Sequence, residues 1–136
     1  MTQSAALGIY FQVLREHRQD AGRPMSAARL AVLLGDFLGK EVNPTTVWRI
    51  ESGDQRPGGD MLTALIDVLG GSFEDVRRLI RERGTAEDAR RFAMARLNND
   101  QKARIADLSA QIETEGQLEA LIADWRASHA TSGEVH

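Results

Sequence analysis

The sequence contains no cysteine, which excludes disulfides, thiolate metal sites and thiol nucleophiles. No apolar run approaches the ~20 residues that cross a bilayer, and the first residues lack a basic segment followed by an apolar core. Alternation of apolar and polar residues with a period of two is also absent, so strands are not predicted. We therefore expect an all-α, soluble, cytoplasmic protein without a membrane partner.

Residues that could carry catalysis are scattered along the chain. The histidines, His17, His129 and His136, are far apart in the sequence. The pair Gly58-Gly59 lacks the following Lys and Ser or Thr of a phosphate-binding loop. We expect no enzyme activity, no catalytic residue, no metal site and no cofactor.

The charge is unevenly distributed along the chain. The formal net charge is −3, but residues 1–84 carry 11 Lys and Arg against 11 Asp and Glu, whereas residues 85–136 carry 6 against 9. A neutral domain can still bind DNA if its cations lie on one face, although its phosphate contacts should be few and salt-sensitive. The acidity therefore belongs to the C-terminal part.

Glycine and proline divide residues 1–84 into segments of helical periodicity. The third segment is short: Asn43 is a suitable N-cap, Pro44 suits the first helical position, and Gly53 can stop the helix. Val47 and Ile50 give it only a narrow apolar face, so its polar face is expected to meet a partner. The predicted helices run from about Ala5 to Ala21, Ser26 to Gly39, Asn43 to Gly53, Asp60 to Gly70 and Ser72 to Gly84.

Residues 85–136 are predicted to form a second, helical segment. Thr85-Ala86-Glu87-Asp88 is typical of a capping box, the chain is expected to restart at Asn98–Gln101, and the end is expected to fray from about residue 128. An apolar stripe, interrupted near Gly116, follows the restart and comprises Ile105, Leu108, Ile112, Leu118, Leu121, Ile122 and Trp125.

Two interpretations of the stripe are open. It either folds back onto the first five helices as core or forms a homodimer interface. We prefer the dimer, because one small module buries only ~600–1,000 Å² on DNA and pairing two modules raises affinity and specificity. The acidic segment could also bind a protein partner.

The second and third predicted helices resemble the helix-turn-helix of the phage-repressor-like Xre family. The resemblance covers about residues 7–80, and the run Thr-Val-Trp-Arg-Ile-Glu-Ser-Gly at positions 46–53 is its most specific part; the matching residues are Ser26, Leu30, Ala31, Leu34, Gly35, Val42, Asn43, Thr45, Thr46, Val47, Arg49, Ile50, Glu51, Ser52 and Gly53. It implies a five-helix, lambda-repressor-like DNA-binding domain with a C-terminal helical extension.

The same resemblance implies further details. An ion pair is expected between Arg18, late in the first helix, and Glu51, at the end of the third. Ala27 replaces a Gln that often touches phosphate in the family. Residues Asp36–Glu41 are additional to the usual pattern, and we expect them to add about one and a half helical turns before a stop at Gly39.

A helix in the major groove reads base edges with its N-terminal turn and outer face. That geometry predicts Thr45, Thr46 and Arg49 as base-reading residues, with Arg49 the strongest candidate because a guanidinium can contact guanine O6 and N7 together. Each could also be ordinary surface: Arg49 paired with a nearby carboxylate, and the threonines completing the first turn.

Phosphate-contacting or groove-flanking roles are expected for Lys40, Asn43, Pro44, Trp48 and Arg56. Trp48 has two alternatives, since it either packs over Phe37 or lies against the sugar-phosphate backbone.

Together these observations predict a sequence-specific regulator that binds double-stranded DNA as a homodimer, probing a two-fold operator with the helix at about 44–52, and that acts as a repressor. The alternative is a protein-interaction adaptor, or an antitoxin-type partner protein, that keeps the scaffold without binding DNA. The neutral charge of residues 1–84, Ala27 and Trp48 favour that alternative.

Overall fold

The computed structural model describes residues 3–20 and 22–133, and within those ranges the regular secondary structure is helical apart from one short β ladder. The all-α fold class is therefore confirmed. In chain order the elements are α1 (Gln3–His17), β1 (Gln19–Asp20), β2 (Arg23–Pro24), α2 (Ala27–Leu38), α3 (Pro44–Ser52), α4 (Gly59–Leu69), α5 (Phe73–Arg81) and α6 (Ala86–Gly133).

The caps of α2 and α3 lie at the residues that the sequence predicts. Ser26 Oγ accepts a hydrogen bond from the amide of Arg29 at 3.0 Å, and Gly39 ends α2 in the left-handed conformation with φ of 70°. At α3, Asn43 Oδ1 accepts from the amide of Thr45 at 3.0 Å, and Gly53 ends the helix with φ of 84°. A residue with a β-carbon is strained at such values of φ, which explains both glycine stops.

The first helix crosses α3 with their backbones in direct contact. A β-carbon at Gly8 would collide with the carbonyl oxygens of Ile50 and Glu51, and one at Gly53 would lie 2.8 Å from the Cα of Ala5. The core surrounds this crossing, and its largest fully buried side chains are Leu7, Tyr10, Phe11, Leu14, Leu30, Leu34, Val47, Ile50, Leu65, Leu69 and Leu79.

Tyr10 joins α1 to the start of α5. Its hydroxyl donates to Asp75 Oδ2 at 2.9 Å and accepts from the amide of Ser72 at 3.0 Å. Burial raises the pKa of Tyr10 well above its ordinary value, because the phenolate would lose its hydration. Both hydrogen-bonding capacities of the hydroxyl are thus used inside the protein.

The end of α1 differs from the prediction. The helix stops at His17, not near Ala21, and Gln19–Asp20 pairs antiparallel with Arg23–Pro24. The prediction that the whole chain is helical was therefore wrong here, because a two-residue ladder is too short to leave a period-two pattern in the sequence.

Two other helix ends are also corrected. The N-cap of α4 is Gly58, without a side-chain hydrogen bond, and Asp60 lies inside the first turn, where its charge favours the helix N-terminus. The last residue of α5 is Arg81, not a residue next to Gly84, and Arg83 takes a positive φ of 49° in the connection to α6.

The long helix α6 begins at the predicted capping box. The amide of Asp88 donates to Thr85 Oγ1 at 3.2 Å, and the amide of Thr85 donates to Asp88 Oδ2 at 3.1 Å. The helix then continues for 48 residues through Asn98–Gln101 and Gly116, so the predicted restart is wrong. Residues 128–133 are part of the helix, and 134–136 lie outside the described residues, so the expected fraying of the end stays a prediction.

The chain divides into two compact units, Met1–Asn98 and Asn99–His136. The first unit continues past the predicted boundary at residues 84 and 85, since Ala89 and Ala93 are fully buried and Arg96 Nε donates to the carbonyl oxygen of Gly70 at 2.9 Å. In the second unit, every residue from Gln101 to His129 is exposed. None of the helices in the described part of the chain combines the length and the hydropathy of a membrane span.

Candidate nucleic-acid interface

Helix α3 has one face inside the protein and one face outside it. Val47, Ile50 and Glu51 are buried, as their spacing of three and four residues requires. Thr45 and Arg49, four residues apart, are exposed on the opposite side, and Thr46 is half-buried beside them. The three predicted base-reading side chains therefore lie on one short, polar, largely accessible surface.

The side chain of Arg49 is exposed and has no ion-pairing carboxylate among the described residues. Its carbonyl oxygen is occupied, because Ser52 Oγ and the amide of Gln55 donate to it at 3.0 and 3.1 Å. The backbone at this position is thus fixed by the helix C-terminus. The guanidinium, by contrast, is available to a partner molecule.

Glu51 is held by an arginine of α1, which fixes the inner face of α3. Arg15 donates from Nε and Nη2 to the two carboxylate oxygens, the second at 3.3 Å, and from Nη1 to the carbonyl oxygen of Met25 at 2.8 Å. The two side chains are only 14% and 8% exposed. This two-pronged contact ties α1 to α3 and to the segment that leads into α2.

The predicted partner of Glu51, Arg18, lies elsewhere. Its Nε donates to the carbonyl oxygen of Leu69 at 2.8 Å and its Nη2 to that of Gly70 at 3.5 Å. These are carbonyls at the C-terminus of α4, where a cation is favoured by the helix dipole. The prediction named the wrong arginine because α1 ends one turn earlier than expected.

Trp48 is 58% exposed and Phe37 is 45% exposed. The ring of Trp48 is therefore not part of the core. Both alternatives for Trp48, packing over Phe37 and lying against the sugar-phosphate backbone, stay predictions.

The additional residues Asp36–Glu41 lengthen α2 less than expected. Only Asp36–Leu38 are helical, which is slightly less than one turn and not one and a half. Gly39 then reverses the chain, and the amides of Gly39 and Lys40 both donate to the carbonyl oxygen of Gly35, at 2.8 and 3.1 Å. A β-carbon at Gly35 would lie 2.7 Å from the carbonyl oxygen of Lys40, so this close return requires glycine.

The returning chain and α2 enclose an open groove of about 690 Å³ that the sequence did not predict. Val32, which is 53% exposed, is an apolar residue that lies off the main apolar stripe of α2. Its position outside the stripe was the signal of the groove in the sequence. The predicted flanking residues Lys40 and Pro44 line it together with two carboxylates. Its lining comprises Ala28, Ala31, Val32, Gly35, Asp36, Gly39, Lys40, Glu41, Val42 and Pro44.

The other predicted flanking residues lie on either side of α3 in the chain. Asn43 is exposed, and its Oδ1 atom accepts the cap hydrogen bond, so its side-chain amide nitrogen can still donate a hydrogen bond to a partner. Arg56 is exposed on the loop between α3 and α4 and forms no ion pair within the described ranges. Over the same ranges, no group of three acidic or histidine side chains is arranged to hold a metal ion.

Comparison with known families gives one match. A family model described as a helix-turn-helix domain matches residues 6–79, which is more than half of the chain and includes α2 and α3. No curated protein matches the sequence.

Proposed function

Because this chain belongs to the helix-turn-helix domain family, we propose that it is a sequence-specific DNA-binding regulator of transcription that inserts α3 into the major groove. The observation that carries the proposal is the division of α3 into a buried face and an accessible polar face. Because Val47, Ile50 and Glu51 hold α3 in place from the inside, its outer face is left open to bind a partner.

On this proposal Thr45, Thr46 and Arg49 contact base edges. Arg49 reads a guanine through O6 and N7, a contact worth ~1–3 kcal/mol of discrimination against the wrong base. The absence of a competing carboxylate in the described part of the chain supports this role, because no internal ion pair has to be broken first. The threonines lie one turn earlier and contact thymine methyl groups or phosphates.

Contacts with the DNA backbone surround these readers. Asn43 donates from its side-chain amide to a phosphate at the N-terminus of α3, where the helix dipole also favours an anion. Lys40 and Arg56 bind phosphates from the two flanking loops, Pro44 packs at the groove edge, and Trp48 lies flat on the sugar-phosphate backbone. Since residues 1–84 carry no net charge, these few contacts supply most of the electrostatic affinity.

We further propose that the protein belongs to the Xre branch of this family, that it is a homodimer on a two-fold operator, and that it represses by occupying that operator. The ion pair between Arg15 and Glu51 supports the first point, since the resemblance implies such a pair at these helix ends. The dimer is supported by the exposed apolar side chains of α6, because a monomer gains nothing from displaying them.

The test is a selection of bound sequences from random duplex DNA, followed by affinity measurements over a range of salt. We expect an inverted repeat. Arg49→Ala should lose about 5- to 150-fold in affinity for the selected site and relax its preference at one guanine. The matched control is Arg90→Ala, since Arg90 is also exposed but lies on α6.

Lys40→Ala and Arg56→Ala should behave differently from Arg49→Ala. Each should weaken binding to all sequences alike and reduce the slope of log affinity against log salt by about 1. Failure to enrich any sequence at low salt would contradict DNA binding. Equal enrichment by Arg49→Ala and by the parent protein would contradict only the reader role.

A second candidate function is favoured by the groove beside α2. There Asp36 and Glu41 accompany Lys40, which weakens the positive potential next to the reader helix. An adaptor, or an antitoxin-type partner protein whose acidic C-terminal segment binds another protein, would tolerate this arrangement. Such a protein would show no salt-dependent binding to duplex DNA, so the same titration separates the two functions.

A further inference from the structure

The exposed apolar side chains of α6 are arranged symmetrically about Glu115. Ile112 and Leu118 lie three residues away on either side, Leu108 and Ile122 lie seven, and Ile105 and Trp125 lie ten. All six are between 42% and 68% exposed. The spacing of these apolar side chains is therefore the same in both chain directions. A second helix running the opposite way brings its own apolar side chains level with them.

The six side chains share one face only if α6 is supercoiled. On a straight helix, at about 100° per residue, the set before Gly116 and the set after it are centred about 100° apart. At the 3.5 residues per turn of a coiled coil, all six lie within about 50° of the line through Leu108 and Ile122. Relative to an unbroken seven-residue repeat, the apolar positions after Gly116 are displaced by three residues, which corresponds to an insertion of residues 115–117. Coiled coils accommodate such an insertion by a local change in winding.

We infer that α6 pairs with α6 of a second copy in an antiparallel coiled coil whose two-fold axis passes Glu115. This deepens the homodimer of the proposed function and rests on it. Three apolar layers then form on each side of the axis, joining Ile112 to Leu118, Leu108 to Ile122 and Ile105 to Trp125 of the second copy. Leu121 lies on the flank, since the residue at its mirror position is Ser109.

Charge selects the antiparallel direction over a parallel one. Parallel copies in register would bring Glu115 and Glu119, both on the interface side of α6, level with themselves, which places like charges within a Debye length of about 10 Å. Antiparallel copies leave only Glu115 opposite itself, because Glu119 comes level with Gln111. Arg104 comes level with Arg126 in the antiparallel pair and with Arg104 of the second copy in the parallel pair. It therefore favours neither direction.

The experiment uses the absence of cysteine from this sequence. Leu108→Cys and Ile122→Cys are made as two single variants, one of them carrying a longer tag. They are mixed, allowed to exchange subunits under reducing conditions, and then oxidised. We expect a mixed disulfide between the two variants and little disulfide in either variant alone, because two copies of residue 108 would be separated by about 21 Å.

Ala106→Cys mixed with Asp124→Cys is the matched control. These positions are also level with each other in the antiparallel pair, but both point away from its interface, so no disulfide is expected. Sedimentation of each reduced variant, and DNA affinity of the parent protein, are measured alongside.

The possible outcomes distinguish failure of the antiparallel pairing from failure of the proposed homodimer. Disulfides within each single variant, or a dimer with no mixed disulfide, would overturn the antiparallel register but leave the homodimer. A monomer at micromolar concentration would overturn both, and it would do so whether or not the protein binds DNA.

Discussion

The contact between Arg15 and Glu51 predicts a large and specific loss of stability when it is broken. The two side chains are almost buried, and the same guanidinium also satisfies the carbonyl oxygen of Met25. Removing one member of a buried ion pair leaves the other charge without compensation, which typically costs ~3–5 kcal/mol. Arg15→Met and Glu51→Gln should therefore each destabilise the first unit by about that amount.

The assay is urea unfolding followed by circular dichroism, with thermal unfolding as a second measurement. A loss of ~3 kcal/mol corresponds to a fall of roughly 12–24 °C in Tm for a domain of about this size. The double variant Arg15→Met/Glu51→Gln should lose less than the sum of the single losses, with a coupling of ~0.5–3 kcal/mol.

Arg18→Met provides the control, because Arg18 was the expected partner of Glu51 but donates to carbonyls of α4. Its effect should add to that of Glu51→Gln within ~0.5 kcal/mol. Coupling between positions 18 and 51, with additivity between 15 and 51, would refute the assignment of the ion pair.

The other predictions concern stability and protonation. Gly8→Ala should destabilise the fold strongly, because the new methyl group collides with carbonyl oxygens of α3. Gly116→Ala should instead stabilise α6 by ~1 kcal/mol, because its methyl group has no neighbouring atom within 4 Å and alanine favours a helix more than glycine. Chemical unfolding compares the two variants. Tyr10→Phe should cost ~1–3 kcal/mol, since Asp75 and an amide lose their partner. Tyr10 is the single tyrosine, so phenolate absorbance should show no ionisation in the folded protein near pH 10, and its stability contribution should disappear as the pH rises above the unfolded pKa of ~10. The amide of Thr85, which donates a hydrogen bond to the carboxylate, holds the pKa of Asp88 below its ordinary value, so an NMR titration of this carboxyl group should have a low midpoint. The stability that Asp88 adds above a pH of ~4 should be lost as the pH falls through that midpoint.

Much of α2 and α3 could be predicted because their boundaries are local. Asn43, Pro44 and Gly53 fix the ends of α3 by their own hydrogen-bonding capacity and backbone preferences, without help from distant residues. The burial of Val47 and Ile50 follows from their spacing. The same is true of the capping box that opens α6.

The partner of Glu51 could not be predicted in this way, because it depends on where α1 ends. A helix that reached Ala21 would have Arg18 in its last turns, but the ladder of β1 and β2 replaces that turn. The last arginine of α1 is therefore Arg15, three residues earlier in the chain, and Arg18 faces α4.

The continuity of α6 was missed for a different reason. Asn98, Asn99 and Gly116 are weak helix formers, but each costs no more than ~1 kcal/mol and is surrounded by strong ones. The groove beside α2 was missed because it depends on the close return of Lys40 to Gly35, a contact between backbones, and Val32 was too weak a signal to reveal it.

The division of α3 into two faces also bears on how this protein can evolve. Positions 45, 48 and 49 contribute little to the core, while 47, 50 and 51 hold the helix in place. Mutations on the outer face can therefore accumulate after gene duplication without bringing the copies close to unfolding. Descendants of one ancestor could acquire different binding preferences while they retain the same scaffold.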